Sequence, residues 1–250
     1  MSEEKKDEEV AAQSSLSAPG LRYFHDYNQL QRFTIFVTNA AIIADAGITL
    51  AQTIGATSDK ERPESGVGAV GELATHLQLF LQMILCRAVD NFLTYISELL
   101  ALIFQTRPEM LKSNEVAKLE TILQYKTMED LISALVEKRV TDLAYQGMRD
   151  LSKDLSRKIG FDLFEQQEGL DMAVRIIEVR NLIVHNRAIV NRLFLSRSPD
   201  FAAKSGERVE MEGKSVLDDI EFLAVSVLDI DRRAIEKFGL LALNAEESIG

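Results

Sequence analysis

The chain has 250 residues, of which 46% are hydrophobic, and its formal net charge is −11. This length and composition suffice for a folded core, and the acidic charge argues against nucleic-acid binding through a broad basic face. Only 13 glycines and 4 prolines occur, and no rhythm of strands and turns is seen, so the sequence predicts a mostly helical, all-α fold.

The cysteine content and the N-terminus bear on the cellular compartment. Cys86 is the one cysteine, so no internal disulfide can form, and a reducing compartment fits. The first ten residues contain two lysines and five acids and lack an apolar core, unlike a signal peptide. We therefore expect a cytoplasmic protein in which a disordered acidic tail, residues 1–18, precedes one helical domain, residues 19–245.

The first long helix is predicted over residues 21–54. Its stretch 33–50 contains a single charged side chain, so its composition is close to that of a membrane span. Five polar side chains in this stretch favour a buried core helix and no membrane contact. They are Thr34, Thr38, Asn39, Asp45 and Thr49.

The rest of the chain is divided by capping residues, glycines and prolines. Loops are expected over 55–68 and 196–215, the second with the alternative of a small hairpin. Helices are predicted over residues 69–105, 113–125, 127–145, 147–160, 171–195 and 216–238. The helix 69–105 is apolar enough for burial on more than one face, and Arg87 and Asp90 within it have the spacing of a pair.

One basic, histidine-bearing segment stands out in this acidic chain. From residue 173 to residue 197 there are five arginines and one glutamate, a local charge of +4. The arginines are Arg175, Arg180, Arg187, Arg192 and Arg197. Arginine clusters bind phosphate through planar donors, although the same arginines can simply pair with acids.

Helical geometry separates the two most chemically active side chains of this segment. Asn181 and His185 are four residues apart and share a face. Arg180 and His185 are five apart, so roughly 140° separates their directions at 100° per residue. Either a local distortion of the helix or two copies of the segment would bring them to one atom.

Other chemistries lack their sequence signatures. His25, His76 and His185 are far apart, and no cysteine pair accompanies them, so no metal site is expected. Residues 66–71 (GVGAVG) have the letters of a dinucleotide fingerprint, but no strand precedes them. Neither a phosphate-binding loop nor a serine-hydrolase elbow occurs, and no cofactor is expected.

The arginine and histidine segment resembles the motif of HEPN domains (higher eukaryotes and prokaryotes nucleotide-binding). The wider text 178–190 (EVRNLIVHNRAIV) is similar to this family, as are 90–100 (DNFLTYISELL) and 107–111 (RPEML). The likeness covers roughly residues 87–197 and is to uncharacterised prokaryotic HEPN proteins. Many relatives are expected to have glycine at the position of Ala188.

The resemblance implies a helical bundle that pairs across its motif helices and cleaves RNA without a metal. It makes His185 the acid/base, Arg180 the phosphate-binding cation and Asn181 the polar residue of the motif. The neighbouring Asn186, Arg187 and Arg192 are candidate substrate-binding residues. A homodimer, RNA as the substrate, and an antitoxin or defence partner protein in a toxin-type stress response are expected on the same basis.

The chemistry of the residue types agrees with this expectation. An RNA 2′-hydroxyl attacks its own phosphate when a base removes its proton and a cation stabilises the transition state. An imidazole titrates near neutral pH and suits the base. Two alternatives stay open: a non-catalytic HEPN module that binds a nucleotide or a protein, and a structural helical adaptor whose arginines are simply paired.

Overall fold

The structure is a computed structural model that describes residues 15–53, 68–111, 122–144, 146–199 and 201–244. These residues form eight α-helices and two two-residue strands, which confirms the predicted all-α fold. The helices are α1 (Ala18–Thr53), α2 (Ala69–Thr75), α3 (Leu77–Thr106), α4 (Met128–Ala144), α5 (Met148–Ile159), α6 (Gln167–Asn186), α7 (Arg192–Arg197) and α8 (Gly213–Phe238). A 3-10 turn, Pro108–Leu111, follows α3, and the strands β1 (Ser15–Leu16) and β2 (Leu243–Asn244) pair antiparallel.

Helix α3 is the centre of the fold, with α1, α4, α6 and α8 packed around it. Its buried side chains come from several directions around its axis, as predicted from its apolar density. The largest of them, Phe92 and Tyr95, are almost completely shielded from solvent. Since α6 lies against α3, the central helix also supplies neighbours to the arginine and histidine segment.

Several predicted boundaries are confirmed and others are wrong. The Thr127 hydroxyl caps α4 by accepting the Asp130 N–H at 3.1 Å, as its sequence pattern predicts. The helix predicted over 69–105 is instead divided at His76, whose backbone leaves the helical region. The predicted loop 55–68 and helix 113–125 fall mostly outside the described residues.

The predicted tail extends too far into the folded part of the chain. Residues 1–14 are outside the described part, whereas Ser15 and Leu16 form β1 and Ser17 is completely buried. The Ser17 N–H and hydroxyl donate to the carboxylate of Asp231 on α8, at 2.8 and 2.5 Å. Buried polar groups need such partners, so this pair attaches the start of α1 to the core.

The second half of α1 is not the buried core helix predicted from its polar residues. Helices Ala18–Ala51 and Leu77–Thr106 are long and apolar enough to cross a membrane by length and composition, and the apolar window of the first has no buried residue. Three threonine hydroxyls there donate to carbonyls four residues back, so they do not require a protein neighbour. The polar residues in this stretch of α1 therefore do not indicate that it is buried in the protein core.

Candidate functional site

Helix α6 carries the predicted motif and packs its apolar face along α3. Its buried residues are Ala173, Val174, Ile176, Ile177, Val179 and Leu182. This packing places Asp90 of α3 opposite Arg180 of α6. The expected pair of Arg87 with Asp90 does not form, because Arg87 contacts Asp26, at 3.4 Å, and Asp90 contacts Arg180.

Arg180 is held from two sides. Its Nη2 donates to Oδ1 of Asp90 at 2.6 Å, and its Nη1 donates to Oδ1 of Asn181 at 3.2 Å. The Nε atom is buried and has no hydrogen-bond partner in the described part of the chain. The side chain is 21% exposed, so its end reaches the surface while its orientation is fixed by protein contacts. A guanidinium held in this way is preorganised for an anion, but its charge is shared with Asp90.

Arg180, Asn181 and His185 line one cleft of about 530 Å³. The floor of the cleft is apolar and comes from α3, α4, α5 and α6, with Ile96, Leu143, Met148, Leu151 and Ile177. His185 is exposed to solvent at its edge. The helix runs without interruption from Gln167 to Asn186, and both motif side chains line the cleft of one chain. The alternative in which two copies of the segment complete one site stays a prediction.

A second arginine completes the polar wall of the cleft. Arg197, in the last turn of α7, lines it together with Glu178 of α6. Nη1 of Arg197 donates to Oε1 of Glu178 at 3.1 Å, and the Glu178 side chain is only 13% exposed. The polar wall therefore has the two arginines, the Asn181 amide and the His185 imidazole. With Glu178 and Asp90 as the two acids, its positive and negative formal charges nearly cancel.

The end of α6 sets the direction of the chain after the site. The helix predicted to reach residue 195 ends at Asn186, since Arg187 and Ala188 both adopt left-handed backbone angles, with φ of 54° and 61°. The N–H groups of both residues donate to the Leu182 carbonyl, which closes the helix end. The chain then pairs Ile189 with Arg208 in one isolated bridge and begins α7 after Asn191. The described residues between α7 and α8 form a loop and contain no strand pair of their own, so the loop alternative is confirmed and the hairpin alternative is not.

The other predicted substrate-binding residues do not line the cleft. The Asn186 amide donates to the Ile189 carbonyl and stabilises the turn. Arg187 and Arg192 are exposed and have no ion pair among the described residues. Arg175 faces Asp219 on α8 at 2.5 Å, where burial raises the pKa of the Asp219 carboxyl and Arg175 opposes that shift. Three of the five arginines are thus paired with acids, as one interpretation of the sequence expected.

Sequence reasoning missed Asp90, Glu178 and Arg197 as members of the site. The sequence predicts a pair of Asp90 with Arg87, because the two residues have the spacing of neighbours on one helix. Contacts between two different helices, such as α3 and α6, leave no such signal in a single sequence. Arg197 was counted as part of the basic segment, but its approach depends on the turn after Asn186. The residues of this chain do not predict that turn, since left-handed arginine and alanine are uncommon. The glycine that the HEPN resemblance expects at position 188 is the one signal for it, because glycine adopts positive φ readily.

Comparisons with known proteins assign no family to the chain. No family model, curated protein or solved structure matches it. Among the described residues, no group of three histidine, cysteine or acidic side chains is close enough to hold a metal ion. The HEPN resemblance therefore stays a prediction from sequence, beside a cleft that contains the arginine, asparagine and histidine of the motif.

Proposed function

We propose that the protein is a metal-independent endoribonuclease of the HEPN type whose acting residues, Arg180 and His185, belong to one chain. The observation that supports this most strongly is that both side chains line a single cleft. The expected role in cytoplasmic defence or stress response, with its antitoxin or defence partner, is part of the same proposal. RNA is the substrate class because its 2′-hydroxyl supplies a nucleophile inside the substrate.

The proposed reaction is an internal attack on one phosphodiester. The His185 imidazole accepts the proton of the 2′-hydroxyl while the 2′-oxygen bonds to phosphorus and the bond to the 5′-oxygen breaks. The leaving 5′-oxygen then takes a proton from the imidazolium or from water. The products are a 2′,3′-cyclic phosphate and a 5′-hydroxyl, and no metal or cofactor enters the balance.

Arg180 has the role of stabilising the charge that develops on the phosphate. A guanidinium offers five N–H donors in a fixed plane, and the contacts to Asp90 and Asn181 use two of them. These contacts hold the group in place before substrate arrives, which is how preorganised donors lower a barrier. Arg197 lies in the same cleft and is placed to bind a neighbouring phosphate once it leaves Glu178.

An RNA cleavage assay with a chelator present tests this proposal. Wild-type protein is expected to cut mixed RNA, and His185→Ala is expected to lose about 10²–10⁴ in rate, the usual value of proton transfer. Arg180→Ala is expected to lose about 10²–10³. His76→Ala is the matched control for the histidine, because its side chain is exposed and lies outside the cleft. Activity that requires added magnesium or manganese would contradict the proposal.

A non-catalytic module that binds a nucleotide is the second candidate. It is favoured by the acids opposite both cleft arginines, Asp90 on Arg180 and Glu178 on Arg197, because they lower the net positive charge available to a transition state. This module would show a nucleotide-dependent rise in melting temperature that Arg180→Ala removes, with no RNA cleavage. Cleavage lost in His185→Ala would exclude it.

A further inference from the structure

An exposed apolar strip runs along the second half of α1. It consists of Ile35, Phe36, Ile42, Ile43 and Leu50, each more than half exposed. At 100° per residue these side chains fall within about 120° of arc, on the side of the helix away from α2. Exposed apolar patches of several hundred Å² mark interaction sites, so the strip requires an explanation.

The spacing of the strip is that of a helix–helix contact. Ile35 and Ile42 are seven residues apart, and so are Phe36, Ile43 and Leu50. A seven-residue repeat keeps side chains on the line where two helices meet, whereas contact with lipid requires no such repeat. Asn39 lies within the same arc, and its side chain has no hydrogen-bond partner in the described part of the chain. An amide in a helix–helix seam is commonly satisfied by the same amide of a second copy.

A bilayer is a poorer occupant of this helix. The N–H groups of Ala69 and Val70 donate to the Asp45 carboxylate at 2.5 and 2.9 Å, which places the start of α2 beside the middle of the apolar stretch. Insertion of α1 would therefore carry Asp45, the first turn of α2 and Glu72 into the hydrocarbon, where ionisable groups are costly. The net charge of −11 also opposes approach to an anionic membrane surface.

We propose that the strip is the docking surface for a second copy of this chain, through a two-helix seam formed by both α1 helices. From their exposed fractions, the five side chains leave roughly 500–600 Å² on each copy, about 1,000–1,200 Å² for the pair, which is at the lower end of the range for specific interfaces. Ala40, Ala46 and Gly47 lie beside the strip, and a Cβ added at Gly47 would meet no atom within 4 Å. Small residues there leave room for the second helix. This interface is separate from the motif helix and does not depend on RNA cleavage.

Light scattering on the full chain at micromolar concentration tests this interface. The wild-type mass is expected to be twice 28.0 kDa. Ile43→Glu buries two like charges in the seam and is expected to weaken the dimer by roughly 100-fold or more, giving a monomer. Leu241→Glu, at a 74% exposed apolar residue outside the strip, and Val184→Glu, on the exposed face of the motif helix, are expected to stay dimeric.

Three results would overturn the interface. The first is a monomeric wild type in light scattering. The second is a dimer that is abolished by Val184→Glu but not by Ile43→Glu. The third is a monomer that floats with phosphatidylcholine vesicles. If Ile43→Glu misfolds, as judged by circular dichroism, oxidation of Ile43→Cys in a Cys86→Ser background replaces it. That variant is expected to form a disulfide-linked dimer while Leu241→Cys does not, and equal cross-linking of both also overturns the interface.

Discussion

Arg180 shares its charge with an acid in the structure, and this pair also acts on a thiol nearby. Burial raises the pKa of Cys86, Arg180 opposes this shift, and Asp90 adds to it. A half-buried cysteine that senses both partners can report on the electrostatics of the site. Because it is the only cysteine of the chain, its reaction with a thiol reagent is directly measurable.

Substitutions at the pair are expected to change the reactivity of Cys86 in opposite directions. Asp90→Asn removes a negative charge, lowers the thiol pKa and speeds alkylation at a fixed mildly alkaline pH, because the thiolate is the reactive form. Arg180→Ala removes a positive charge, raises the thiol pKa and slows the alkylation of Cys86. Asp26→Asn serves as the control, since Asp26 contacts Arg87 rather than Arg180. If Asp90→Asn and Arg180→Ala change the alkylation rate in the same direction, the Arg180–Asp90 pair does not set the reactivity of Cys86.

At the scale of elements, the end of α6 stores backbone strain. Arg187 is in the left-handed region at φ 54°, where a residue with a Cβ carries a cost of about 1 kcal/mol that glycine avoids. Arg187→Gly is therefore expected to stabilise the protein by roughly 0.5–1 kcal/mol, after allowance for the lost charge at the helix end. A melting curve should rise by about 1–3 °C for a chain of this size.

Arg192→Gly is the matched control for this substitution. It removes the same charge at the start of α7, where no positive φ is relieved, so its melting temperature is expected to fall or stay level. If Arg187→Gly lowers the melting temperature as much as this control does, the left-handed turn is not the source of the strain.

Helix α8 holds the N-terminal strand and the start of α1 through one buried carboxylate. Asp231 accepts hydrogen bonds from Ser17 and, at 3.2 Å, from the Tyr95 hydroxyl. Asp231→Ala leaves these donors unpaired and is expected to cost about 1–3 kcal/mol in urea unfolding. Asp229→Ala, on the same helix, is expected to cost less, because the Asp229 side chain is 41% exposed and its largely buried partner Arg233 keeps two backbone carbonyls as acceptors.

The cost of Asp231→Ala is also expected to depend on pH. Burial raises the pKa of Asp231, and the hydrogen bonds from Ser17 and Tyr95 oppose this only in part. A carboxyl whose folded-state pKa is raised stabilises the fold most below its unfolded pKa of about 3.9, and loses that contribution as pH rises through the folded value. The substitution should therefore cost more near pH 4 than at pH 7. A cost that grows with pH would contradict the raised pKa.

For the whole molecule, local patterns predicted most of the helices, and contacts between helices explain the errors. The cap at Thr127 and the glycines at 147 and 160 bound α4 and α5 as expected, because capping is a local property. The prediction that the second half of α1 is buried is wrong, since an apolar helix has the same sequence pattern whether the chain's own core covers it or leaves it exposed. The motif was visible in sequence, but the pairing of Arg180 with Asp90 depends on how α6 lies on α3.

Under the proposed function, the charge of the whole molecule limits how RNA would bind. With a net charge of −11, binding has to rely on a few arginines at the cleft and on the exposed Arg187 and Arg192. Four such contacts give a salt slope of at most about 3 for single-stranded RNA, since each contributes roughly 0.7. Weak, local binding of this kind suits cleavage in single-stranded segments rather than capture of long duplexes.

Cleavage of a labelled RNA oligonucleotide beside its 2′-deoxy copy, with chelator present, distinguishes the proposed internal attack from hydrolysis by water. Wild-type protein is expected to cut the RNA to a 2′,3′-cyclic phosphate and to leave the deoxy copy intact, because only RNA has the internal nucleophile. His185→Ala should lose this activity, and His76→Ala should keep it. Intact RNA, equal cutting of both oligonucleotides, or full activity in His185→Ala would contradict the proposed site.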